Sequence, residues 1–182
     1  MRKSFLFVML ILFLTAIPAY SHPHLFIKPE VEFISSKTAI TGIRVRWVWD
    51  EWWSEDVKTD CDLDKNNVFN AKETALVKKL FFDGVEDFDY FLKITIDDKK
   101  IKIGQAKNFS VRVLPNGNVV YEFIVDFPKG QSAKNKLEIC FVDKTIYTAF
   151  EDKVVLLKNE NVIRKKKSEP YGDYGVKLTV WL

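Results

Sequence analysis

A period-two alternation of apolar and polar residues limits this chain more than any other feature, and it is sharpest in Tyr121-Glu122-Phe123-Ile124-Val125-Asp126-Phe127. Every second side chain of a strand points to the same side, so such a run buries one face and wets the other. The same pattern runs through the arm 39–49, where Ile43, Val45, Trp47 and Trp49 alternate with Gly42, Arg44, Arg46 and Val48. With Leu25 to Ile34 before it and the polar turn Ser35-Ser36-Lys37-Thr38 between, this reads as a hairpin.

After Asp87 the strand pattern persists. Tyr90 to Ile96, Ile101 to Ile103, Phe109 to Leu114, Val119 to Phe127, Leu137 to Val142, Ile146 to Leu157 and Val176 to Leu182 are rich in β-branched and aromatic residues. Asp97-Asp98, Pro115-Asn116-Gly117-Asn118 and Pro128-Lys129-Gly130 supply turn chemistry between them. Two helical stretches interrupt the series. Asp50 is placed to cap a helix over 51–57, and Leu76, Val77, Leu80 and Phe81 recur at helical spacing within 71–82. The expected fold is α+β but mainly β: an antiparallel sandwich-like domain over 22–182 with a helix-loop-helix inserted at about 50–84.

The first 21 residues have a different character. Arg2 and Lys3 precede an uncharged stretch of 13 residues, Phe5 to Ile17, and Ala19-Tyr20-Ser21 offers the small residues that a signal peptidase reads. Thirteen residues fall short of the roughly 20 that a membrane-spanning helix needs. Cleavage near Ser21 would leave one domain of 161 residues in the periplasm or outside the cell. It would also lower the net charge from +3 to +1, which gives no reason to expect a nucleic-acid partner. In an oxidising compartment Cys61 and Cys140 are either one disulfide or two buried thiols, and the sequence leaves both open.

Chemistry concentrates in two places. From Asp62 to Glu73 the residues match a twelve-residue calcium loop: Asp62, Asp64 and Asn66 at positions one, three and five, the Val68 carbonyl at seven, Asn70 at nine and Glu73 at twelve. Calcium is a hard cation wanting about seven oxygens, and this spacing wraps oxygens around one point. Asn67 stands where Gly is usual at a turn of positive φ, a conformation that Asn tolerates better than most residues. The alternative is an acidic, Asn-rich connection that binds nothing.

The second place is His22-Pro23-His24, the only histidines in the chain. Cleavage after Ser21 would add a free α-amine to two imidazoles, three nitrogen donors that with an open position suit zinc, while imidazole also suits copper and nickel. Pro23 has no amide proton, so a planar chelate through deprotonated main-chain nitrogens is excluded. A frayed terminus is the competing reading. Arg164-Lys165-Lys166-Lys167 reads as a solvated loop, and one of the adjacent Trp52 and Trp53 must stay outside the core.

The order of these pieces resembles the DUF1007 family. His22-Pro23-His24-Leu25-Phe26-Ile27, Trp47-Val48-Trp49-Asp50-Glu51, Asp62 to Glu73 and Val142-Asp143-Lys144-Thr145-Ile146-Tyr147 carry the likeness over most of the mature chain. The resemblance implies a periplasmic accessory protein beside a membrane permease similar to nickel/cobalt exporters, with zinc a suggested cargo. It lacks the long His-rich tract of some relatives, which leaves His22 and His24 as the candidate transfer site. The competing function is a secreted interaction module stabilised by calcium alone. Enzymatic readings rank last, because a histidine brace or a nucleophilic triad needs a His from elsewhere in the fold and none exists.

Overall fold

The computed structural model describes residues 24–36, 39–145, 147–158 and 163–182. The expected leader 1–21 and His22 therefore lie outside the described residues. The hairpin forms as the alternation demands: β1 (Leu25–Ser35) pairs antiparallel with β2 (Ile40–Trp49), with Pro29 opposite Trp47 and Val31 opposite Val45. Nine further strands follow: β3 (Leu92–Ile96), β4 (Lys99–Ile101), β5 (Lys107–Val113), β6 (Val119–Asp126), β7 (Lys136–Phe141), β8 (Thr148–Phe150), β9 (Val155–Leu156), β10 (Lys165–Tyr171) and β11 (Gly175–Trp181).

These strands make two sheets. One has the order β5-β6-β2-β1-β8, with β9 also pairing β1, and the other the order β10-β11-β7-β3-β4. All pairings are antiparallel except those of β8 and β9 to β1, which are parallel. Ile43, Val45, Trp47, Phe123 and Val125 of the first sheet share one core with Ile94, Leu137, Ile139, Phe141, Leu178 and Val180 of the second. The mainly β, sandwich-like architecture expected from the alternation is what forms.

The helical insertion sits between β2 and β3: α1 (Glu51–Cys61), α2 (Ala71–Phe81) and a 3-10 segment, Asp83–Phe91. Asp50 caps α1 as expected, its Oδ1 accepting from the Trp53 amide at 2.9 Å while Oδ2 accepts from the Phe26 amide at 2.6 Å. One carboxylate thus ties the helix to the start of β1. Ser54 ties it to β6 as well, since its hydroxyl donates to the Asp50 carbonyl at 2.6 Å and accepts from the Val119 amide at 2.8 Å.

Four expectations need correction. The strand expected at Ile101 to Ile103 is instead Lys99–Ile101, set by its hairpin pairing with β3. Tyr90 does not begin a strand: Asp89, Tyr90 and Phe91 are left-handed, with φ of 53°, 52° and 54°. Burial of the Tyr90 ring against Phe82, and the bond its hydroxyl accepts from the Ala106 amide at 3.0 Å, hold that otherwise costly turn. The run 146–157 is not one strand but two short ones, β8 and β9, which join β1 at separate registers. The basic run at 164–167 is largely strand, because β10 pairs with β11 from Lys165 opposite Trp181 to Tyr171 opposite Gly175.

At Gly175 the chain leaves no room for a side chain. A Cβ there would sit 2.5 Å from the Tyr171 carbonyl oxygen and 2.7 Å from that of Phe141, both backbone atoms that cannot swing aside. Gly175→Ala is expected to lower unfolding stability by about 1–3 kcal/mol, the range for forced overpacking. Denaturant titration measures this, and an unchanged midpoint would show that the β10-β11 turn has slack.

Candidate metal centre

The loop between α1 and α2 owes its shape to its own side chains. Asp62 accepts two amides, from Asn66 to Oδ1 at 3.1 Å and from Asn67 to Oδ2 at 2.8 Å, folding the loop back on its first residue. Asp64 Oδ1 also receives the Asn66 amide at 3.2 Å, and its Oδ2 receives the Asn66 side-chain amide at 2.9 Å. Asn66 Oδ1 in turn accepts from the Val68 amide at 2.6 Å. The reversal puts Lys65 and Asn67 at φ of 58° and 60°, so the position where Gly is usual does take the left-handed conformation, with Asn in it.

The far end of the loop is closed by a reciprocal cap on α2. Asn70 Oδ1 accepts from the Lys72 and Glu73 amides at 2.9 and 3.1 Å, and Glu73 Oε2 accepts from the Asn70 amide at 3.0 Å. Glu73 Oε1 reaches across to the Leu63 amide at 2.8 Å, joining the last loop position to the second. The Asn70 side-chain oxygen is thus committed to the helix terminus, which gives that residue a structural task beside any part in holding an ion.

These bonds bring Asp62, Asp64 and Glu73 together, with one carboxylate oxygen from each lying within 4.8 Å of the others. Asp62 is 4% exposed and Glu73 1%. No lysine or arginine among the described residues forms an ion pair with any of the three. Like charges gathered this closely repel one another. Amide bonds offset part of that. Each of the four oxygens of Asp62 and Glu73 accepts one amide bond, which leaves lone pairs for a cation. With Asn66 and the Val68 carbonyl, the donor set is all oxygen and suits a hard divalent ion.

The other predicted ligands are divided. His24 is exposed at the head of β1, where its amide donates to the Tyr147 carbonyl at 2.9 Å and its ring lies 5.1 Å from that of Tyr147. His22 falls outside the described residues, so the structure does not bring the two imidazoles together. What holds Tyr147 in place was not among the predicted site residues. Asp143, 5% exposed, accepts from the Thr145 amide and hydroxyl and from the Thr148 amide at 2.8, 2.7 and 3.0 Å, shaping the connection from β7 to β8. The signal was present in the Val142-Asp143 segment, as an acid followed two residues later by Thr.

Both cysteines are free and buried, Cys61 at the end of α1 and Cys140 on β7. Burial pushes the Cys61 thiol up, with the nearby negative charges of Asp60 and Glu73 acting the same way. Burial also pushes Cys140 up, to about 11, against the pull of Lys177. Burial thus holds both as thiols at neutral pH.

Comparison with known sequences finds one family over most of the chain. The profile of the family described as "Protein of unknown function (DUF1007)" matches residues 7–172. A curated relative from Spirochaeta aurantia, the "Uncharacterized 15.5 kDa protein in trpE 3'region", is 30% identical over 89 residues. That match covers 49% of this chain and 63% of the relative, so the chain spans less than two thirds of the relative's length.

Proposed function

The chain belongs to the DUF1007 family, and from that premise we propose that it is an exported metal-binding accessory protein of a transition-metal transport system, built around a calcium-type structural loop. The observation that carries the metal reading is the convergence of Asp62, Asp64 and Glu73, two of them buried and none in an ion pair with a lysine or arginine among the described residues. That α1 and α2 flank the loop supports reading it as an EF-hand-like helix-loop-helix. Asp62, Asp64, Asn66, the Val68 carbonyl and Glu73 would hold calcium, with Asn70 at the ninth position acting through water. Extracellular sites of this kind bind at about 10⁻⁴ to 10⁻³ M, so the ion serves as a clip and not as a signal.

The transfer site in this proposal is the terminal pair His22 and His24, taking zinc or nickel/cobalt for a membrane permease. Its support is that His24 is exposed and pinned by its amide to Tyr147 at the edge of a sheet, a fixed point from which an N-terminal donor set can be offered. The protein is read as a binder and not as an enzyme.

Calorimetry separates the two metal sites. Calcium is expected to bind 1:1 and to lose its site in Asp62→Ala with Glu73→Gln, whereas zinc or nickel binds 1:1 and loses its site in His22→Ala with His24→Ala. Zinc affinity unchanged in the histidine variant would leave a calcium-stabilised interaction module as the function.

A further inference from the structure

We propose that the apolar groove where the helical insertion meets the first strand docks a basic amphipathic segment of a partner protein. Trp53 of α1, Leu80 and Phe81 of α2, Val85 and Phe88 of the 3-10 segment and Tyr147 before β8 line a hollow of about 330 Å³. A volume near the low end of the roughly 300–1,000 Å³ of small-molecule pockets, in an open groove, suits a few anchoring side chains more than an engulfed ligand. Leu80, Phe88 and Tyr147 are 54%, 51% and 53% exposed, and large apolar side chains left in water side by side mark a contact surface.

Charge selects among possible occupants. Residues 50–91, which supply the helical wall of the groove, contain nine acids and three bases outside the 62–73 loop, while the chain before 50 and after 91 has more bases than acids. Glu86, Asp87 and Asp89 share the 3-10 segment with Val85 and Phe88, where Asp83 is already paired with Lys78, and Asp56 lies one turn on from both Trp52 and Trp53 in α1. A partner that fits both features carries aliphatic anchors at helical spacing with lysines or arginines beside them. This inference stands apart from the metal reading, since the acids of the 3-10 segment lie outside the 62–73 loop.

The test titrates the purified protein with a synthetic amphipathic helix of leucine and lysine and with its leucine and glutamate counterpart, following tryptophan fluorescence. The lysine peptide is expected to bind at least tenfold more tightly. Leu80→Glu with Phe88→Glu is expected to weaken it a further tenfold or more, although the substitution adds two negative charges; Phe88→Ala, which adds none, should weaken it in the same direction. Simple charge attraction predicts the opposite sign for the Glu variant. Equal affinity for both peptides, or undiminished binding to the Glu variant with its thermal midpoint intact, overturns the proposal. So does sedimentation showing a dimer that these substitutions dissociate, because the groove would then belong to a second copy.

Discussion

Calcium at about 10 mM is expected to raise the thermal midpoint of the protein by about 3–10 °C, and Glu73→Gln is expected to abolish that rise. A site with a dissociation constant of about 10⁻⁴ to 10⁻³ M would be filled at 10 to 100 times that constant, which stabilises the folded state by about 1.4–2.7 kcal/mol. For a chain of this size each kcal/mol moves the midpoint by roughly 2–4 °C. The variant discriminates because its effects without calcium oppose each other. Gln removes one of three crowded negative charges, but its amide nitrogen cannot accept from Leu63 or Asn70 as a carboxylate oxygen does. The midpoint in chelator should therefore shift far less than the calcium response. An unchanged response in Glu73→Gln would mean that the loop does not hold the ion.

The second large effect is expected at Trp47, where Trp47→Ala should cost about 3–5 kcal/mol and lower calcium affinity as well. Trp47 is fully buried, and its ring contacts Phe123 at 4.8 Å, Phe91 at 5.7 Å, Phe82 at 6.0 Å and Trp49 at 6.0 Å. Each aromatic pair adds roughly 0.5–1.5 kcal/mol beyond area burial. Phe82 follows α2 directly and Phe91 ends the 3-10 segment, so this one side chain seats the insertion on the sheet. Trp52→Ala is the control: that ring is 84% exposed, and its loss should change stability by no more than about 0.5 kcal/mol. Denaturant titration of both variants decides the matter, and similar costs for the two would refute this account of how the insertion is held.

The sheet was legible wherever one face is buried, because burial forces the alternation on the sequence. β2 and β6 are the clearest cases, and they lie side by side with Trp47 opposite Tyr121. β10 was not legible for the same reason in reverse. As an edge strand of Lys165-Lys166-Lys167-Ser168-Glu169-Pro170-Tyr171 it buries no face fully, and its conformation comes from hydrogen bonds to β11. The turn at Asp89 to Phe91 was hidden because Tyr and Phe favour strands as residues, whereas tertiary contacts of Tyr90 hold them left-handed.

The candidate metal site divides along the same line. The meeting of Asp62, Asp64 and Glu73, the left-handed Asn67, the bond from Trp53 to the Asp50 cap and the start of α2 are set by neighbours within a dozen residues, so the sequence alone determined them. Their burial, the docking of α1 through Ser54 to Val119, and the groove beside Tyr147 depend on residues more than sixty positions apart in the chain. Local spacing cannot encode such meetings, because they form only when the sheets close over one core and choose which faces lose water.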